Sequence, residues 1–171
     1  MLVFGGSLGA RSINEAAVAA FADVPYRILH AAGERDHAAL AARVDGRPGY
    51  DLRAYIDDFG PALLACDLCV ARAGGSIFEV AAHGCPAILV PYPHAAGDHQ
   101  AANARWMAAA GAAVVIADSD LSPARLRREV DGLLGDPARL AAMARASAAL
   151  ARPRAAQAVA AELLGAAAGG G

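Results

Sequence analysis

Short apolar runs alternate along this chain with longer stretches in which apolar residues recur every three or four positions. Met1-Leu2-Val3-Phe4 is the first such run, and it breaks directly on Gly5-Gly6-Ser7, as a buried parallel strand does when it enters a loop. Ile13, Ala16, Ala17, Ala20 and Phe21 then form one apolar stripe at helical spacing, and Ser12 with Glu15 has the spacing of a capping box at its start. The same alternation predicts strands at 26–31, 50–54, 68–71, 87–90 and 113–116, and helices at 36–44, 61–65, 76–83 and about 100–110. Strand and helix alternate throughout, so the expected fold is α/β: a Rossmann-like, doubly wound parallel six-stranded sheet with right-handed crossovers and helices on both faces.

Beyond residue 120 the strands stop. Alanine-rich helices are predicted at 123–134, 137–150 and about 153–164, the first two opened by Ser122-Pro123 and Asp136-Pro137 as N-cap and first turn. Residues 1–164 then make one domain, and the Gly/Ala-rich 165–171 has nothing to bury and is expected to fray as a disordered tail. A strand that opens at residue 1 leads to the further expectation that a segment N-terminal to it is missing.

Composition narrows the function. With 57% hydrophobic and 19% charged residues the chain is globular, and no apolar run reaches the roughly 18 residues that span a bilayer. A formal charge of −2 leaves no global basic field for nucleic acid. Cys66, Cys69 and Cys85 are odd in number and fit buried thiols in a reduced compartment; the C-x-x-C of Cys66 and Cys69 has no second pair to complete a zinc site. No metal or cofactor is therefore expected. The chain contains no lysine at all, so a P-loop is excluded.

The candidate chemistry gathers after two strands. Gly5-Gly6-Ser7-Leu8-Gly9 and Arg72-Ala73-Gly74-Gly75-Ser76 both place small residues where a strand turns into a helix, so that backbone N–H groups and a positive helix end can approach a phosphate. Glu79 follows Ser76 by three. It is either the second half of a capping box or a carboxylate that accepts the two hydroxyls of a ribose. The backbone of Ile56 is placed to read the edge of a base. Gln100 and Asn103 share one side of a helix start with amides suited to sugar hydroxyls. Asp98 has the N-cap position there, and His94 and His99 lack a partner that would fix a metal or a catalytic dyad. Asp57 and Asp58 are adjacent, point apart, and do not make an acid–base pair.

GGSLGARSIN at 5–14, YIDDF at 55–59, RAGGSIFEVAAHGCPAILVPYPHAAGDHQAANA at 72–104 and AGAA at 110–113 together resemble the C-terminal, donor-binding half of the family 28 GT-B glycosyltransferases. That resemblance implies an inverting transferase that moves GlcNAc from UDP-GlcNAc to lipid I, giving lipid II for peptidoglycan at the cytoplasmic face of the cell membrane. It further implies that Gly6, Ser7, Gly74, Gly75 and Ser76 lie at the diphosphate, Ile56 at the uracil, Glu79 at the ribose, and Gln100 with Asn103 at the GlcNAc ring. The acceptor, the membrane-facing patch and the catalytic base belong to an N-terminal domain absent from this chain, so no catalytic residue is expected here. Two other readings stay open at this point: a stand-alone donor subunit that docks on a separate acceptor subunit, and a non-catalytic nucleotide-sugar binding module. Two departures from the family stand out: the loop between glycine turn and glutamate is shorter than in many members, and His99 replaces a second glutamine found in some.

Overall fold

A computed structural model describes residues 1–6 and 9–168. Its strands are β1 (Leu2–Phe4), β2 (Ile28–Ala31), β3 (Tyr50–Arg53), β4 (Cys69–Ala71), β5 (Ala87–Leu89) and β6 (Ala113–Val115). Helices α1 (Arg11–Ala20), α2 (Glu34–Val44), α3 (Phe59–Leu64), α4 (Ile77–Ala82) and α5 (His99–Ala109) connect them, and α6 (Pro123–Leu134), α7 (Pro137–Ala149) and α8 (Ala155–Ala168) follow. All six strands are parallel, in the order β3-β2-β1-β4-β5-β6. The expected doubly wound sheet is therefore present. Its strand order reverses between β1 and β4, and such a switch point leaves a crevice at the C-terminal strand ends where α/β proteins bind ligands.

Strand alternation divides the core. Val3, Val70 and Ile88 face one side and pack with Ile13 and Ala17 of α1, Phe21 at its C-cap, and Leu126 and Val130 of α6. Leu2, Phe4, Cys69, Ala71 and Leu89 face the other, against Leu63, Ile77, Val80 and Met107. Ser122 and Asp136 cap α6 and α7 as expected, each side chain accepting the N–H of the residue three further on. The last helix, expected to end at about 164, runs from Ala155 to Ala168; alanine is the best helix former, and carries it through Gly165.

The capping box at Ser12 is also absent. Gly9 turns with a positive φ of 73°, which starts α1 at Arg11 and leaves Ala10 as an N-cap with no side-chain bond. Ser12 thus lies inside the first turn, where its Oγ donates to Asp118 at 2.7 Å, while Glu15 pairs with Arg43.

One polar network is buried among these apolar layers. His30 has no exposed surface; its Nε2 meets Asn14 Oδ1 at 3.0 Å and its Nδ1 meets the Tyr50 hydroxyl at 2.8 Å. Asn14 Nδ2 in turn donates to the Ala32 carbonyl and to Asp36. Burial lowers the His30 pKa from 6.5 to about 4, because the imidazolium would lose its hydration. The unfolded chain then takes up a proton at a higher pH than the folded one. Stability is full above pH 6.5 and falls as the pH drops toward 4. Between pH 7 and 4.5 this group alone should remove roughly 2 kcal/mol. Urea unfolding of wild type and His30→Gln at both pH values tests it: the variant should lose most of the fall, and parallel losses in the two proteins would refute the assignment.

Candidate functional site

Register brings both glycine turns to one edge. Phe4, Ala71 and Leu89 are level in the sheet, so the loops after β1 and β4 emerge side by side at the switch point. A cavity of about 300 Å³ opens on the α3/α4 side of this edge, lined by Phe4, Gly6, Tyr55, Ile56, Ser76 and Glu79 among others. A larger one of about 760 Å³ continues across the glycine loops and is lined by Gly5, Gly6, Gly74, Gly75, Ser76 and Gln100, with Arg11, Arg35, Arg72 and Tyr92 around them. Gly6 and Ser76 belong to both cavities. A further hollow of about 390 Å³ lies at the opposite end of the strands, against Met1, Arg27 and Cys66; it lacks the glycine loops and helix starts that could hold an anion.

The loop after β4 is built to leave donors free. Ser76 sits at the N-cap of α4 with helical φ and ψ of −61° and −13°, and its side chain makes no capping bond. The N–H groups of Ile77, Phe78 and Glu79 are taken by the carbonyls of Gly74, Gly75 and Ser76. Among the described residues, no hydrogen bond uses the N–H groups of Gly74, Gly75 or Ser76. Three successive free amides at a loop of this kind form an anion-binding concavity. The capping-box alternative for Glu79 is overturned, since its carboxylate makes no hydrogen bond among the described residues and instead lines the smaller cavity.

Ile56 is buried by its side chain, while among the described residues its N–H and C=O carry no backbone hydrogen bond. Gln100 Oε1 accepts the Tyr92 N–H at 2.9 Å, which leaves its amide NH₂ toward the cavity beside Gly74. Asn103 lies a turn further back, donating to the Ala73 carbonyl at 2.9 Å, and is not among the lining residues. Ser7 lies outside the described residues. Asp98 occupies the N-cap position of α5 in the left-handed region (φ 53°) without a capping bond, so the capping role expected for it fails.

The cysteines cluster on the α3/α4 face of the sheet, at the end of the strands opposite the glycine loops. All three are free thiols, with Cys66 Sγ 3.1 Å from Cys85 Sγ. That hydrogen bond, with burial, pushes the Cys66 thiol well up.

Three residues that the sequence reading passed over organise the edge. Arg72 donates to the Val90 and Pro91 carbonyls, to Asp118 Oδ1 at 2.6 Å and to Ser12 Oγ at 2.8 Å, and its guanidinium lies 5.4 Å from the Tyr92 ring centroid. Arg11 and Arg35 share the carboxylate of Asp36. The hydrogen bond from Arg35 is the main cause of a lowered Asp36 pKa, so this carboxyl is ionised at neutral pH. The signal for Arg72 was its position directly before the second glycine turn.

The doubly wound sheet, with two glycine loops meeting over a cavity at its switch point, is one half of a GT-B glycosyltransferase fold. The chain belongs to the glycosyltransferase family 28 C-terminal domain family, whose model matches residues 1–159. It is 45% identical to a UDP-N-acetylglucosamine--N-acetylmuramyl-(pentapeptide) pyrophosphoryl-undecaprenol N-acetylglucosamine transferase of Alkalilimnicola ehrlichii, over 94% of this chain and 46% of that protein. The protein of that name from Mycobacterium avium is 44% identical, with 94% and 40% covered. The crystal structure of Acinetobacter baumannii MurG superposes with a TM-score of 0.82 at 34% identity, covering 92% of this chain and 49% of the other. The calicheamicin glycosyltransferase CalG4 gives 0.69 at 28% identity over 95% and 42%. The chain thus spans about half the length of the relatives it matches.

Proposed function

We propose that residues 1–164 are the donor-binding domain of an inverting glycosyltransferase that moves GlcNAc from UDP-GlcNAc to lipid I, an N-acetylmuramyl-(pentapeptide) pyrophosphoryl-undecaprenol, in peptidoglycan synthesis. The observation that carries this reading is the pair of cavities at the switch point that share Gly6 and Ser76, with a carboxylate that makes no hydrogen bond among the described residues in one and free amides in the other. Uracil enters the smaller cavity against the Ile56 backbone, and Glu79 accepts the ribose hydroxyls. The diphosphate crosses Gly6, Ser7 and the Gly74-Gly75-Ser76 amides, and GlcNAc reaches Gln100, with Asn103 behind it. As the sugar leaves, negative charge grows on UDP, and the amides and helix starts aimed there stabilise it without reorganising. The acceptor, its base and attachment to the cytoplasmic face of the membrane belong to the remainder of the protein. Among the described residues, no helix is long and apolar enough to cross a membrane.

Calorimetric titration with UDP-GlcNAc, UDP-GalNAc, UDP-glucose and GDP-mannose tests the donor. Selective UDP-GlcNAc binding is expected, weakened by about 1–3 kcal/mol in Glu79→Ala, the cost of leaving polar partners unmade. A folded chain that binds GDP-mannose as well as UDP-GlcNAc, or a Glu79→Ala variant with unchanged affinity, would refute the assignment.

A further inference from the structure

The larger cavity holds three arginines, but only two of them have charge to offer a ligand. Arg72 is spent inward: its side chain is 11% exposed, its donors go to Ser12, Asp118 and two carbonyls, and Asp118 matches its charge. Arg11 and Arg35 differ. Both donate to Asp36, whose side chain is only 7% exposed, while their own are 71% and 56% exposed. Asp36 Oδ1 takes Arg35 Nε at 3.0 Å and Arg11 Nη2 at 3.3 Å; Oδ2 takes Arg35 Nη2 at 3.2 Å and Asn14 Nδ2 at 3.1 Å. Two cations on one anion leave a positive charge, and among the described residues Asp36 accepts the only hydrogen bonds that either guanidinium donates.

Stability alone does not call for this arrangement. The two bonds from Arg35 and the one from Asn14 already satisfy Asp36. Arg11 adds one long bond from a mostly exposed side chain, an ion pair of the kind that contributes little. Both residues stand in the opening turns of α1 and α2, and the start of α1 lines the same cavity. Glu34, in the first turn of α2, does not line the cavity, whereas Arg11 and Arg35 do.

We infer that Arg11 and Arg35, held on the buried Asp36, are a guanidinium pair that binds a diphosphate at the α1/α2 end of the donor cavity. Planar forks with free N–H edges suit phosphate oxygens in a way that point charges do not. The inference rests on the proposed donor reading for the identity of the ligand, and two diphosphates meet that description: the one in the donor, and the pyrophosphate of an undecaprenol-linked acceptor.

The test is titration of the chain with inorganic pyrophosphate and, separately, with UDP-GlcNAc, in wild type, Arg11→Gln, Arg11→Gln/Arg35→Gln and a control Arg145→Gln remote from the cavity. Arg11→Gln leaves both Arg35 bonds to Asp36 in place, and thermal melts check that it folds. Pyrophosphate binding should weaken about tenfold in Arg11→Gln and further in the double variant, with the control unchanged. If donor saturation blocks pyrophosphate and the variants weaken UDP-GlcNAc in parallel, the pair serves the donor. If pyrophosphate still binds the donor-saturated chain through the two arginines, the pair serves the acceptor. Wild type that fails to bind pyrophosphate, or folded variants that bind it within twofold of wild type, overturn the pair whatever UDP-GlcNAc does. Arginine-dependent pyrophosphate binding without UDP-GlcNAc binding would instead leave the pair standing and remove the donor assignment.

Discussion

Arg72→Ala is expected to remove about 3 kcal/mol of folding stability, near the lower limit seen when one partner of a buried ion pair is deleted. The figure sits at that limit because Asp118 is a quarter exposed and water can partly replace the lost cation. What makes the loss large is the number of groups stranded together: the carbonyls of Val90 and Pro91, the Asp118 carboxylate and the Ser12 hydroxyl. Those groups belong to α1, to the loop after β5 and to the turn after β6, so a single side chain ties three neighbouring segments to the end of β4. Arg72→Lys should recover less than half, since an ammonium cannot span the same fan of acceptors. Urea unfolding of the two variants beside Asp118→Ala measures this. A loss below 0.5 kcal/mol in Arg72→Ala, the range of ordinary surface changes, would reduce the arrangement to a solvated pair. Ligand affinity should fall with stability, because Arg72 acts as a positioning residue for the glycine loop that follows it.

The layered fold could be read from the chain because its signals are local. Short apolar runs gave six strands, each within two residues of its observed limits, and the proline-led helices after residue 120 are capped by the serine and aspartate that precede them. Of the residues the chain offered for the site, Gly6, Gly74, Gly75, Ser76, Ile56, Glu79 and Gln100 line the two cavities, each lying in or next to a strand-end loop, whereas Asn103 does not. What escaped depends on pairs far apart in sequence. Ser12 and Glu15 had the spacing of a capping box, yet the partner of Ser12 is Asp118, more than a hundred residues away. Asp36 looked like the start of a helix, and nothing in its neighbours reveals that Arg11 and Asn14 reach it from another helix, α1. Spacing rules describe competition within one element; a buried carboxylate draws donors from whichever elements the sheet brings near.

The same closeness of loops makes Gly9 the glycine whose replacement should cost most. Its φ of 73° is one that L-residues adopt at a cost of about 1–2 kcal/mol. A methyl group there would also overlap the Ala32 carbonyl oxygen. That oxygen is the acceptor of Asn14 Nδ2, so moving it disturbs the network that reaches His30 on one side and Asp36 on the other. Overpacking of backbone adds about 1–3 kcal/mol, and Gly9→Ala should lose about 3–5 kcal/mol in all, or roughly 10 °C in melting temperature for a chain of this size. Gly6→Ala separates the two causes. Gly6 shares the positive φ, at 86°, but a methyl group on it meets nothing, so that variant should lose only the conformational part. If Gly9→Ala melts no lower than Gly6→Ala, the β1–α1 loop can retreat from the β2–α2 loop without penalty. Then contact between those loops is not what brings Arg11 and Arg35 to one carboxylate.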